Sequence, residues 1–194
     1  MLRTALFAIF AALALPALGQ IATSVNPDTL NEHRKTALGL YVTSAEAYAA
    51  IRKDPGIVLL DVRTPEEFNF VGHAKAADAN VPFNFMDATK LPAKGGNYGW
   101  RHNDNFLADV AAVMARLGKG KDDVIFVMCR SGHRSAASVN ALAKAGYTQV
   151  YNVIDGFEGS KNKATGHRDK EGWRFENLPW TYRIRPDQAY RPAG

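Results

Sequence analysis

From Leu40 onward, the apolar and polar positions of the chain alternate between two rhythms. GIVLLDVR, DDVIFVMC and TQVYNVID are short, nearly continuous apolar runs ending in charged or polar residues, as expected of strands buried on both faces. Between them lie SAEAYAAIRKDPG, TPEEFNFVGH, NDNFLADVAAVMARLGKG and HRSAASVNALAKAGY, whose spacing and end signals predict helices. Ser44 is a candidate N-cap for the first, which Pro55-Gly56 stops. Thr64 and Glu67 form a capping box with Pro65 at the first helical position. Asn103 or Asp104 caps the third helix and Gly118 closes it, and Gly146 ends the fourth. ANVPF, around Val81, is a short strand limited by its proline. MDATKLPAKGGNYGWRHNDN is rich in glycine and polar groups and predicts a long surface loop. Strands alternating with helices indicate an α/β domain with a central, mainly parallel sheet flanked by helices.

The two ends follow other patterns. MLRTALFAIFAALALPALGQ has a basic start at Arg3, an apolar stretch from Ala5 to Leu15, a break at Pro16 and small residues at Ala17 and Gly19. This is the order of regions in a cleavable signal peptide over residues 1–19, and it predicts a periplasmic or secreted protein. The apolar stretch is too short for a permanent membrane anchor. Residues 20–40 are polar and predict a leader packed loosely on the surface. The α/β domain then occupies residues 41–182, and residues 183–194 form a C-terminal tail.

Composition narrows the function classes. The chain has 194 residues, 46% of them hydrophobic and 22% charged, with a formal net charge of +5, an ordinary balance for one globular domain. No block of lysine and arginine suggests nucleic-acid binding. Five histidines are scattered without metal-ligand spacing and there is one cysteine, so no metal site and no cofactor is expected.

That cysteine lies in CRSGHRS, Cys129 to Ser135, directly after the run VIFVM and before a helix. With no second cysteine an internal disulfide is impossible, and an odd thiol in an exported chain reads as reactive or as one half of an intermolecular bridge. Ligands gather at the carboxyl ends of strands in open α/β sheets. There a turn of backbone N–H groups and a helix N-terminus stabilise an anion, and a thiolate is one. Arg130 and Arg134 stand ready to stabilise the thiolate or to grip an anionic substrate.

CRSGHRS together with LLDVRTPEEFNFVGHAKAADANVPF resembles the single-domain rhodanese family. The shared pieces are Asp61-Val62-Arg63, Pro65 to Phe68, Gly72-His73, and a Cys-Arg-x-Gly-x-Arg loop matched by Cys129, Arg130, Gly132 and Arg134, with Ser135 at the usual hydroxyl position. The resemblance runs from about Tyr41 to Asp155 and implies a three-layer rhodanese-like fold. It also implies a sulfurtransferase: Cys129 takes sulfane sulfur from a donor such as thiosulfate and passes it from a persulfide to cyanide, a thiol or a protein thiol. Arg130, Ser131, Gly132, His133, Arg134 and Ser135 then form the substrate-binding loop. The alternatives are a persulfide carrier serving a partner protein without turnover, and a cysteine-dependent phosphatase. Phosphatase loops place five residues between cysteine and arginine, whereas four separate Cys129 from Arg134.

Several residues carry a plainer reading. Asp61 and Arg63 are expected to be structural, with Arg63 pairing with Glu67. Glu66 and Glu67 suit the dipole of a first helical turn. His133 either tunes the thiolate and its anion or points to water. GGNYGWRH is read as an ordinary loop with one aromatic anchor, although Tyr98, Trp100 and Arg101 are placed to shape an acceptor pocket. Arg134 is expected to face solvent, so that its loss weakens donor use more than folding. Gly172-Trp173 and Leu178-Pro179 match the family's closing pieces, but an insertion over about residues 157–171 precedes them. The tail aromatics Phe157, Trp173, Phe175, Trp180 and Tyr182 suggest that this end folds back onto the domain.

Overall fold

A computed structural model describes residues 21–92, 94 and 96–193. The signal-peptide reading of residues 1–19 lies outside them. Thirteen regular elements follow two 3-10 turns, Pro27–Thr29 and Glu32–Arg34: β1 (Tyr41–Val42), α1 (Ser44–Lys53), β2 (Val58–Asp61), α2 (Pro65–Phe70), β3 (His73–Ala74), β4 (Ala79–Asn80), β5 (Asn84–Asp87), β6 (Gly99–His102), α3 (Phe106–Arg116), β7 (Ile125–Met128), α4 (His133–Lys144), β8 (Val150–Val153) and β9 (Trp180–Thr181). Five strands form one parallel sheet in the order β1-β8-β7-β2-β4.

Every residue of β2, β7 and β8 is buried, because helices and loops cover both faces. Val58, Leu60, Ile125 and Val127 pack toward Phe106, Val110, Met114, Val139 and Leu142 of α3 and α4. Leu59, Phe126, Met128 and Tyr151 pack on the other side with Ala47, Phe68, Phe157 and Trp173. This two-sided burial is why the strands read as continuous apolar runs rather than as alternating ones.

The end signals mostly act where they were expected. Thr64 and Glu67 form a reciprocal capping box with Pro65 inside the first turn. At α1 the cap is Thr43, paired with Glu46, and Ser44 instead donates its hydroxyl to the buried carboxylate of Asp155 at 2.5 Å. Neither Asn103 nor Asp104 caps α3: the N-cap is Asn105, which makes no side-chain bond. Asn103 turns inward to bond the Pro82 carbonyl and Asp109.

Three stretches differ from the sequence expectation. Residues 84–102 contain an antiparallel hairpin of β5 and β6, with Phe85 opposite Arg101 and the guanidinium 4.8 Å from the Phe85 ring centroid. Its asparagine, aspartate and glycine residues depress strand propensity, so cross-strand pairing makes it a hairpin. The leader is fastened rather than loose: Ala37 donates to Asn140 Oδ1 at 2.7 Å, and the Arg34 carbonyl accepts from Asn152 Nδ2 at 3.0 Å. The last residues close the sheet edge, where Asn80 N donates to the Gln188 carbonyl at 2.7 Å and buried Gln188 returns a bond to the Ala77 carbonyl at 2.7 Å. An edge strand left open is a template for unwanted pairing, and this tail covers it. Of the tail aromatics, Phe157 and Trp173 are buried, whereas Phe175 and Tyr182 are exposed.

Candidate active site

Cys129 follows β7 at the carboxyl end of the sheet and is 1% exposed. The chain turns around its sulfur and enters α4 through Gly132, whose φ is 88°. A side chain there would be strained by the left-handed backbone and would overlap the Ile154 carbonyl oxygen, so only glycine lets the turn close. Gly132→Ala is expected to lower stability by about 2–4 kcal/mol, as left-handed strain and a backbone clash add. Urea unfolding checks this; a loss below about 1 kcal/mol would show that the turn relaxes without harm.

The turn sorts its backbone groups by polarity. Its carbonyls are drawn away from the sulfur: Cys129 O accepts from Phe157 N at 2.8 Å, and Arg130 O from Glu158 N and Gly159 N at 3.0 and 3.1 Å. Gly132 O accepts from Asn152 Nδ2 at 3.1 Å. Among the described residues, the amides of Arg130, Ser131, His133, Arg134 and Ser135 have no protein acceptor. Gly132 N donates to Cys129 Sγ at 3.2 Å. The result is a small cradle of donors at a helix N-terminus, suited to a negative sulfur.

Ser135 and Asn152 complete the surroundings of the sulfur. Asn152 Nδ2 faces two carbonyls, those of Arg34 and Gly132, which fixes its Oδ1 toward Ser135 Oγ at 2.6 Å. Ser135 Oγ also lies 3.3 Å from Sγ. One hydroxyl carries one proton, so the two contacts exchange roles with charge. The protonated thiol donates to Ser135, which donates to Asn152; a thiolate competes for the serine proton as a charged acceptor. Sequence reading missed Asn152, which sits inside a buried strand where polarity is its only signal.

The two loop arginines do not stand free. Arg134 is nearly buried and makes a bidentate pair with Glu67, at 2.6 and 2.7 Å. The expectation of a solvent-facing Arg134 is therefore corrected, and so is the pairing of Arg63 with Glu67. Arg63 instead bonds Asp61, both side chains being fully buried. Its length and direction from the end of β2 lead it back to the strand and to the Phe157 ring, 4.1 Å from the centroid. Arg130 pairs with Glu158 at 2.7 Å. His133 leaves the cradle and faces His33 of the leader, with ring centroids 5.9 Å apart. Partial burial, reinforced by Arg34, His33 and Arg168, holds its imidazole below the usual histidine value.

Glu67 thus caps α2 and anchors Arg134 together. Burial by itself would raise its carboxyl, but the hydrogen bonds and charge of Arg134, with the Thr64 amide, hold it below the ordinary value of 4.5. A lowered carboxyl contributes stability that is fully present above the unfolded value and lost as pH falls through the folded one. The melting temperature of the native protein is therefore expected to exceed that of Glu67→Gln at pH 7, with the gap closing as pH drops below 4.5. A gap independent of pH would remove the ionised pair as its cause. Arg134→Ala is expected to cost about 1.5–3 kcal/mol in urea unfolding, the range for hydrogen bonds to charged groups.

The β5–β6 hairpin stands beside this pair. The ring centroid of Trp100 lies 5.0 Å from the Arg134 guanidinium, and a cavity of about 540 Å³ is lined by Glu67, Met86, Leu91, Tyr98, Trp100, Arg130 and Arg134, with Gly96 and Asn97. The stretch read as a plain loop thus builds one wall of the approach to the site. Among the described residues, no group of three or more His, Cys, Asp or Glu is placed to hold a metal ion, and no helix is long and apolar enough to cross a membrane.

The parallel sheet thus carries one thiol, bonded by a loop amide, at the carboxyl end of a central strand. The family model of the rhodanese-like domain matches residues 43–163, and the chain belongs to that family. An uncharacterised protein of Rickettsia prowazekii is 34% identical over 142 residues, covering 73% of this chain and 96% of its own length. Thiosulfate sulfurtransferase 16 of Arabidopsis thaliana, a chloroplast protein, is 38% identical over 98 residues, covering 50% of this chain and 68% of its own. The crystal structure of Rv0390 from M. tuberculosis superposes with a TM-score of 0.57 at 31% identity, covering 76% of this chain and 99% of that one.

Proposed function

We propose that this protein is a rhodanese-type sulfurtransferase that carries sulfane sulfur on Cys129. The observation that supports this reading most is the cradle: a single thiol in a turn where Gly132 N bonds the sulfur, the carbonyls of Cys129, Arg130 and Gly132 are bonded elsewhere, and five further amides are without a protein acceptor. In the first step the Cys129 thiolate attacks the outer sulfur of thiosulfate. A bond forms between Sγ and that sulfur, the S–S bond of thiosulfate breaks, and sulfite leaves with the electron pair. The outer sulfur of the persulfide is anionic, and the free amides of Arg130, Ser131, His133, Arg134 and Ser135 are the donors on offer to it. In the second step cyanide or a thiolate attacks the outer sulfur, the bond to Sγ breaks, and the thiolate returns. A covalent relay of this kind gives ping-pong kinetics.

A carrier that hands its persulfide to a partner protein, with little turnover on small molecules, is the second reading. The apolar wall of Met86, Leu91, Tyr98 and Trp100 beside the loop favours an acceptor larger than cyanide. Incubation with thiosulfate followed by cyanide separates the two. A mass gain of one sulfur on Cys129 with thiocyanate release supports the enzyme, and a stable persulfide without thiocyanate supports the carrier. Absence of both would overturn sulfur transfer. The apolar start of the chain supports export, and secretion of a full-length fusion with loss of residues 1–19 tests it.

A further inference from the structure

Arg130 and Arg134 are each paired with a glutamate. An ion pair presents a dipole rather than a net charge, so each of these guanidiniums attracts a doubly charged donor less than an unpaired cation would. The insertion supplies a third arginine. Arg168 donates Nη1 to the Gly159 carbonyl, and the Gly159 amide in turn bonds the Arg130 carbonyl of the cysteine loop. Among the described residues no carboxylate lies within 4.0 Å of Arg168, and its buried Nε has no protein acceptor. The acids nearest in the chain are already engaged, Asp169 by Thr165 and Glu171 by Arg34 and Ser160, and so is Glu158 by Arg130. Arg168 also lines a cleft of about 420 Å³ with Glu158, Arg174 and Phe175. Burial and then Arg130 press its guanidinium below the usual arginine value, while Glu158, Cys129 and Glu67 pull the other way.

We infer that Arg168, delivered by the insertion to the rim of the cysteine loop, is the specificity-determining cation of the site: it holds the oxyanion end of an anionic sulfur donor such as thiosulfate beside Cys129. The assignment of a sulfur donor rests on the sulfur-transfer reading of Cys129, whereas the attraction of anions to the thiol does not. The insertion thereby becomes part of the donor site, and the loop arginines hold the cradle in shape.

The test separates charge from structure. Cys129 is alkylated with iodoacetate, which is anionic, and with iodoacetamide, which is neutral, and the ratio of the two rates is compared among variants. Arg168→Gln, which keeps a donor for the Gly159 carbonyl, is expected to lower the ratio about tenfold, a typical loss of local anion attraction. Arg168→Lys should retain most of the ratio, and Lys163→Ala, an exposed charge in the same insertion, should leave it unchanged. In thiosulfate turnover Arg168→Gln should raise KM about tenfold at similar kcat, the signature of lost uniform binding. The rate of Cys129 alkylation by neutral iodoacetamide should not change. An unchanged alkylation ratio, or equal losses in the Gln and Lys variants, would overturn the role of Arg168. A lowered ratio in a protein that takes no sulfur from thiosulfate would keep the anion site and overturn the sulfur-donor reading alone.

Discussion

Cys129→Ser is expected to abolish sulfur transfer while leaving the fold in place. A serine hydroxyl is not ionised at neutral pH, and without a thiolate no persulfide forms. Removal of a covalent nucleophile commonly costs many orders of magnitude, so turnover of thiosulfate and cyanide should fall by about 10³-fold or more. The mass gain of one sulfur should vanish with it. The substitution exchanges one small buried atom for another, and the hydroxyl still accepts from Gly132 N, while Ser135 keeps its bond to Asn152. Melting of the variant close to that of the native protein would confirm that chemistry, not structure, was lost. Residual turnover above a tenth of the native rate would rule Cys129 out as the sulfur carrier.

The second large effect is on stability. Asp61→Ala is expected to destabilise the protein by about 3–5 kcal/mol, the usual cost of leaving one member of a buried ion pair alone. Asp61 and Arg63 are both fully buried, and Arg63 bonds Asp61 through Nε and Nη2 and the Gly72 carbonyl through Nη2. Without the carboxylate the guanidinium keeps one carbonyl and the Phe157 ring, too little to offset its desolvation. Asp61 Oδ1 also accepts from the Arg63 amide at 3.0 Å, so the strand end loosens as well. The double change Asp61→Ala with Arg63→Met should recover part of the loss, because the unpaired charge goes with it. Urea unfolding of the three proteins reads both effects, and a double variant no better than Asp61→Ala would show that the charge was not the cause.

The pair also shows why some contacts were legible and others were not. Thr64, Pro65 and Glu67 are close in sequence, and a capping box is a local geometry, so its residues announce it directly. The partner of Arg63 was misread because Asp61 and Glu67 are both near in sequence; burial and the direction of the side chain chose between them. Glu67 to Arg134 spans 67 positions and Ser135 to Asn152 spans 17. No local periodicity encodes such contacts, which exist only because β2, β7 and β8 lie side by side. The β5–β6 hairpin was hidden for a different reason: its strands contain Asn84, Asp87 and Gly99, and only their pairing outweighs those residues' preference for turns.

By itself the sequence determined the alternation of buried strands and helices, the capping box at Thr64, and a lone thiol entering a helix through glycine. These follow from local rules of burial, backbone conformation and helix ends, which act over a few residues. The tertiary structure decided which charges are spent and which remain. It set Glu67 against Arg134 and Glu158 against Arg130, turned His133 toward His33, and bonded Arg168 to the Gly159 carbonyl. Net charge at a site is the sum of neighbours from distant parts of the chain, and only packing determines which neighbours those are.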